Sequence, residues 1–334
     1  MSGDFLWRDG GRTVVFRGGG LDAVAGLLAE HGMEPFDLLT TERHVAGARR
    51  LASAAAAVHD VAAGGVPEAA AALLGSVSTP NLVALGGGRT IDVAKAIASV
   101  TGARVAAIPT TMSGAEMTGI HRLPAGAEGM ARALVRPDLV IADPAAMTSA
   151  PEPELRASSM NALAHGADSL YTPFANPVSR MTALHGAELI AAALDEGPAS
   201  RDLAALALGS ILCGYSIDSG AFALHHVVCQ TLVRVCGSPH AGTNAAILPR
   251  AMAFMTPRAP DQLQQLATAI GAAPESIEAR ILNLGGNPPG LGALEANRSK
   301  LPEAIEAMLM RPELAFTPEP PTRSELEHLI EQAW

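Results

Sequence analysis

Residues 81–98 read NLVALGGGRTIDVAKAIA: a short apolar run, three consecutive glycines, then an Ala- and Ile-rich stretch. A strand that passes through a glycine turn straight into a helix is the repeating unit of a parallel sheet covered by helices. Outward from it, further strand candidates are TVVFRGG (13–19), PFDLLTT (35–41), AAVHD (56–60), RVAAIPTT (104–111) and DLVIADP (138–144). Helical stretches such as LDAVAGLLAEHG and VPEAAAALLGSV fill the gaps. This alternation predicts a mostly parallel sheet with both faces buried, in which ligands bind beyond the carboxyl ends of the strands. From residue 151 onward only helical periodicity is visible, as in LRASSMNALAHGADSLY and SRMTALHGAELIAAALDEG. The expectation is therefore two domains, 1–150 and 151–334, with a cleft between them. LGGNPPGLGALEANRSK (284–300) reads as a surface loop.

Composition narrows the function. The chain has 334 residues, 49% hydrophobic and 17% charged, enough for one large core or two ordinary ones. A net charge of −10 and no long Lys/Arg run argue against nucleic-acid or anionic-membrane partners. The opening MSGDFLWRDGGRTVVF has no basic segment followed by an apolar one, so it does not read as a signal peptide. Charges, Gly and Pro are expected to interrupt each helix before it reaches membrane-spanning length. Cys213, Cys229 and Cys236 are odd in number and lack CxxC spacing, which fits reduced thiols in a cytoplasmic protein.

Gly86, Gly87 and Gly88 would let a ligand approach the backbone, and the helix that follows offers unpaired N–H groups to a diphosphate. Arg89 could add a charge-assisted bond. Asp92 in the same helix is a further cofactor-binding candidate; a plain turn is the ordinary reading for the glycines, and an exposed i,i+3 ion pair is that for Asp92 and Lys95. Thr110, Thr111 and Ser113 in IPTTMSG can donate to phosphate or ribose, or simply form a Ser/Thr turn. Thr40 and Thr41 stand where dinucleotide enzymes often place an acid on the adenosine ribose, so both NADH and NADPH stay open.

Three histidines carry the remaining chemistry. His165 follows Asn161 by four residues, which puts both on one helix face. His226 lies in the apolar run ALHHVVCQTL, and His240 follows Pro239 where a new helix could begin. Three imidazoles and an amide oxygen can form a four-ligand site, or each histidine can be a satisfied core or cap residue.

On VALGGGRTIDVAKAIA, IPTTMSGAEMT, DLVIADP, SMNALAHGADSLYTPFANPVS, ALHHVVCQTL, SPHAGTNAAILP and PPTRSELEHLIEQAW, the chain resembles the iron-containing (group III) alcohol dehydrogenase superfamily. Within it, the resemblance is greatest to the maleylacetate reductases. It implies a Rossmann-like parallel sheet domain followed by an all-helical, dehydroquinate synthase-like domain. It also implies a homodimer, NADH or NADPH in an interdomain cleft, and hydride transfer to a small oxo acid in aromatic-ring catabolism. The superfamily's metal positions fall on Asn161, His165, His226 and His240, with Fe2+ or Zn2+ as the ion. Asn161 replaces the Asp of metal-dependent members and removes the only anionic ligand. Without metal, His165, His226 and His240 become the groups that polarise and protonate the substrate. The chain departs from the family pattern at Arg89 (Ser), Ala115 (Ser) and Gln230 (often His), and Arg132 is the nearest cation to a lysine expected around 120–132. Arg180 and Arg234 are candidate cations for a dicarboxylate substrate. The reading is an NAD(P)H-dependent reductase of a small unsaturated or oxo acid. The alternatives are a non-redox lyase or cyclase on the same fold, or a metal-dependent alcohol dehydrogenase.

Overall fold

In the computed structural model, which describes residues 4–127 and 134–334, the chain divides into two compact units, Met1–Ala150 and Pro151–Trp334. Arg132 lies outside the described residues.

The first unit is a seven-stranded sheet in the order β1-β2-β7-β6-β5-β3-β4. Its strands are β1 (Phe5–Asp9), β2 (Arg12–Phe16), β3 (Phe36–Thr40), β4 (Ala57–Asp60), β5 (Asn81–Gly86), β6 (Arg104–Pro109) and β7 (Leu139–Ala142). All neighbours are parallel except β1 and β2. Each strand candidate of the sequence is present, and β1 is an addition. Its signal was Asp9-Gly10-Gly11: β1 and β2 are joined by the two glycines alone, with Gly10 at φ 60°. Arg12 closes the hairpin by donating to Asp9 at 2.7 Å.

Helices of this unit are α1 (Val24–Glu30), α2 (Glu42–Val45), α3 (Arg49–Ala54), α4 (Val66–Leu74), α5 (Gly88–Thr101) and α6 (Pro144–Met147). Successive strand residues point to opposite faces, and each face has its own core. Leu39, Leu82, Ala84, Val105 and Ala107 pack with α4 and α5, whereas Leu38, Val83, Leu85, Ala106 and Ile108 pack with α1 and α3. The strands β3, β5, β6 and β7 are therefore covered on both sides, which is why they read as nearly continuous hydrophobic runs. From β3 the chain goes to β4 at the sheet edge; from β5 it goes the other way, to β6. Such a reversal opens a crevice at the strands' carboxyl ends, and here it lies between Thr40 and Gly86.

The second unit is helical: α7 (Glu152–Ser169), α8 (Pro177–Asp195), α9 (Leu203–Gly220), α10 (Leu224–Cys236), α11 (His240–Met255), α12 (Pro260–Ala269), α13 (Ile277–Leu284), α14 (Leu301–Leu309) and α15 (Arg323–Glu331). Helix α8 begins at a reciprocal cap: the Asn176 side chain accepts from Ser179 N at 3.0 Å, and Asn176 N donates to Ser179 Oγ at 3.0 Å. Contrary to the expectation of early interruption, α9 is long and apolar enough to cross a membrane by length and composition. Its packing explains that composition. A Cβ on Gly209 would stand 2.8 Å from the Gly186 carbonyl oxygen, and one on Gly186 would stand 2.8 Å from that of Gly209. The backbones of α8 and α9 touch directly, as a core helix requires. The expected surface loop at 284–300 also needs correction. It is irregular, but Leu291 is fully buried and its N–H donates to Ala333 O at 2.8 Å, tying the stretch to the end of the chain.

Candidate active site

At the carboxyl end of β5, Gly86, Gly87 and Gly88 lead into α5, whose first turn carries no side-chain cap and no acidic residue. Its leading N–H groups are thus available to an anion. Thr111 and Ser113, from the segment after β6, lie directly on the turn. A Cβ on Gly87 would meet the Thr111 side chain at 3.2 Å, and one on Gly88 would meet Ser113 Cβ at 2.8 Å. Two hydroxyls at the ends of the strands flanking β5, Thr40 Oγ1 and Thr110 Oγ1, are buried without a hydrogen-bond partner. Buried hydroxyls left so are costly unless a ligand completes them. Thr41 is engaged locally, its Oγ1 bonding His44 Nδ1 at 2.8 Å. Arg89 is exposed and leaves the turn open, and Ala115 belongs to the apolar cluster under α5, where a hydroxyl would be desolvated.

Asp92 and Lys95 are not the exposed pair their spacing suggested. Lys95 is 0% exposed, and its Nζ donates to Asp92 Oδ1 (2.8 Å), Ala115 O (3.0 Å), Thr118 Oγ1 (3.4 Å) and Ile120 O (2.7 Å). The ammonium pins the chain after β6 onto α5, a role that needs a partner segment invisible to i,i+3 spacing. Close by, Glu116 is fully buried with neither carboxylate oxygen hydrogen-bonded. Burial raises its pKa to about 7, with Lys95 and Arg12 opposing and Asp92 assisting the rise.

In the helical unit the polar centre is built on α7 and α10. His165 and His226 are brought together, with stacked rings 4.9 Å apart between centroids. Asn161 is buried one turn before His165 on α7, and His240 is exposed at the head of α11. Burial first, then the neighbouring His226, His240 and His225, holds His165 well below the ordinary histidine range, so it is neutral.

The residue that organises this centre is Asp168, which the sequence reading passed over. It lies three residues after His165, on the same face of α7. Its carboxylate accepts from the N–H groups of Ala223 (2.8 Å), His225 (3.3 Å) and His226 (3.2 Å), from His226 Nδ1 (2.9 Å) and from the Tyr171 hydroxyl. Helix α10 has no cap of its own, and Asp168 supplies one from another helix. Burial alone would raise the Asp168 pKa; the hydrogen bonds it accepts from His226 and Tyr171 bring it down to about 2. A charged carboxylate only accepts, so His226 Nδ1 carries the proton and Nε2 presents a lone pair. That Nε2 is buried with no partner, as is His165 Nδ1. His225 was also missed. It is fully buried, bonds Asn244 Oδ1 through Nε2 at 2.9 Å, and is held neutral chiefly by burial, at about 3.

These elements define a class: an open, doubly wound sheet with an anion-accepting glycine turn, followed by a helical unit carrying a carboxylate–imidazole pair. The comparisons agree along the chain. Residues 15–151 match the iron-containing alcohol dehydrogenase family model, and residues 156–334 match the C-terminal model of the Fe-containing alcohol dehydrogenase family. Maleylacetate reductase 1 of Rhodococcus opacus is 35% identical over 80% of this chain and 77% of its own length. The maleylacetate reductase of Burkholderia cepacia is 35% identical over 75% and 73%. Among solved structures, a putative alcohol dehydrogenase from Ralstonia eutropha JMP134 superposes with a TM-score of 0.87 at 30% identity, covering 99% of this chain and 97% of that one. Maleylacetate reductase from Rhizobium sp. strain MTP-10005 gives 0.83 at 29% identity, covering 100% and 99%. The chain belongs to the iron-containing alcohol dehydrogenase family and is an NAD(P)-dependent oxidoreductase.

The family's iron can be tested against the donors present. Asn161, His165, His226 and His240 bring no carboxylate, and Asp168 is taken up by α10. Among the described residues, no three or more His, Cys, Asp or Glu side chains form a group able to hold a metal ion. Three imidazoles and an amide can surround a divalent ion, but they hold it less tightly than a set that includes a carboxylate.

Proposed function

We propose that the chain reduces a small unsaturated or oxo acid with NADH or NADPH, as its maleylacetate reductase relatives are named for doing, and acts as a cytoplasmic homodimer. The observation that carries this reading is the Asp168–His226 pair, in which a charged carboxylate holds Nδ1–H and leaves a buried Nε2 with a lone pair and no partner. Three free, buried cysteines fit a reducing compartment, and the homodimer follows from the family resemblance.

The bound nicotinamide supplies a hydride to the electron-poor carbon. The leading N–H groups of α5 and the glycine turn receive the diphosphate, and Thr40 and Thr110 complete their hydroxyl bonds on the ligand. His226 Nε2, once it has taken up a proton on that lone pair, gives it to the atom beside the hydride acceptor. When loaded with that proton, the imidazolium is balanced by Asp168, so the pair delivers it without separating charge in a dry site. His165, neutral and stacked on His226, gives the substrate oxygen a polar neighbour, and His240 meets the substrate from the exposed side. Hydride and proton together account for both atoms added.

The test is oxidation of NADH or NADPH by maleylacetate, followed by the loss of reduced-nicotinamide absorbance. Turnover strictly dependent on nucleotide is expected. Consumption of a substrate without nucleotide, and no binding of either nucleotide at about millimolar concentration, would replace this reading with a non-redox one.

A further inference from the structure

Beyond the histidine pair, one cation stands in the same neighbourhood with part of its bonding capacity unspent. Arg311 precedes the short 3₁₀ turn Pro312–Phe316, and its side chain is only 15% exposed. Its Nη1 donates to Gln230 Oε1 at 2.9 Å, and its Nε donates to Glu313 at 3.2 Å. The guanidinium carbon lies 5.6 Å from the Phe222 ring centroid, and that ring lies 5.8 Å from the ring of His226. Gln230 follows His226 by four residues, so both side chains leave the same face of α10. Arg311 is thus fixed to α10 through Gln230 and lies against Phe222, the ring that neighbours His226. The second nitrogen, Nη2, has no hydrogen-bond partner among the described residues, and Nη1 has a second hydrogen to give. The Nη1/Nη2 edge is the one that clasps a carboxylate with two parallel bonds.

We propose that Arg311 is a carboxylate-binding residue of the substrate site, held in place by Gln230, and that the substrate class is an acid whose carboxylate docks on the Nη1/Nη2 edge. The proposal rests on the reductase reading and adds to it the anchor for an anionic substrate. His165 is stacked on His226 and His225 spends its Nε2 on Asn244, so neither offers a paired seat for a carboxylate. Nor do the cations singled out in the sequence offer this geometry: Arg234 is exposed in the last turn of α10, and Arg180 sits in the first turn of α8. Glu313 works against an incoming anion, which makes it a useful control. Gln230 suits this task, because an amide oxygen is the acceptor a guanidinium needs.

The experiment is calorimetric titration of the intact protein with malonate, a non-reacting dicarboxylate, alongside steady-state kinetics with maleylacetate. Arg311→Met should weaken malonate binding at least ~10-fold and raise KM by a similar factor, with kcat changed less than about threefold. Arg311→Lys should fall between Met and native, because charge is kept and the paired geometry is lost. Glu313→Gln should tighten binding. NADH affinity, read by fluorescence, should stay at the native value in all three. Equal malonate affinity in native and Arg311→Met protein, or no malonate binding by the native protein, overturns the proposal. Should Arg311→Met not fold, Arg311→Lys and Glu313→Gln decide it by the same titration. Failure of the reductase reading shows separately, as absent nucleotide oxidation in the native enzyme.

Discussion

At the end of β5 the candidate ligand surface comes from three consecutive glycines and the helix they open, with Thr111 and Ser113 laid over them. On α7 and α10 it comes from side chains far apart in sequence, oriented by one carboxylate that also caps the helix bearing His226. The first site depends on the absence of side chains, and its polar groups are backbone amides that any sequence would offer. The second depends on which nitrogen of one imidazole carries a proton, a property fixed from another helix. A backbone site should therefore lose affinity gradually when crowded, whereas a tautomer-dependent site should fail in one step.

The sharpest way to break that contrast is Asp168→Asn. An amide NH2 turned towards His226 Nδ1 would favour the wrong tautomer, and kcat should fall ~10³-fold or more while NADH affinity holds. Stopped-flow and fluorescence titration read the two separately, and a mere loss of stability with kcat intact would reduce Asp168 to a cap. Gly87→Val comes next. Its side chain would press on Thr111 and cover the turn, raising the NADH dissociation constant ~10- to 100-fold with kcat largely kept at saturation. Unchanged affinity would move the dinucleotide seat elsewhere.

A smaller effect concerns stability. Glu116 has its folded pKa raised to about 7 from 4.5. Between those values the folded chain holds a proton that the unfolded chain releases, so the contribution is fully present below the unfolded pKa and is lost as pH rises through about 7. Thermal melts of the native protein should therefore lose stability across that window, and Glu116→Gln should flatten the slope and be the more stable protein above it. A variant melting with the native slope would show that other groups set the dependence. The smallest expected effect is none at all: dialysis against a chelator should leave activity unchanged. Activity lost on chelation and restored by Fe2+ would show that the neutral donors hold an ion after all.

Residues such as Gly86–Gly88, Thr110 and His226 were legible because their chemistry is local: a strand end, a turn, a helix face. Their strength of engagement was not. Lys95 looked exposed from its i,i+3 pairing with Asp92, yet four acceptors bury it, three of them from residues 115–120. Asp168 carried a usable signal, since its spacing from Asn161 and His165 keeps it on one face of α7, but nothing in the chain said that α10 lacked a cap. His225 stands beside His226 in the run ALHHVVCQTL without a spacing of its own to mark it, and Arg311 had no signal at all, because the 3₁₀ turn meets α10 only in the folded unit.

The sequence by itself determined the alternation of strands and helices, the glycine turn and the helical second half. Periodicity and turn chemistry act over a few residues and survive without a fold. Only the tertiary structure decided which imidazole nitrogen is bare, which ammonium is buried and which guanidinium is tied to α10. Each of those is an exchange of water for a partner distant in the chain, and its sign depends on whether that partner arrives.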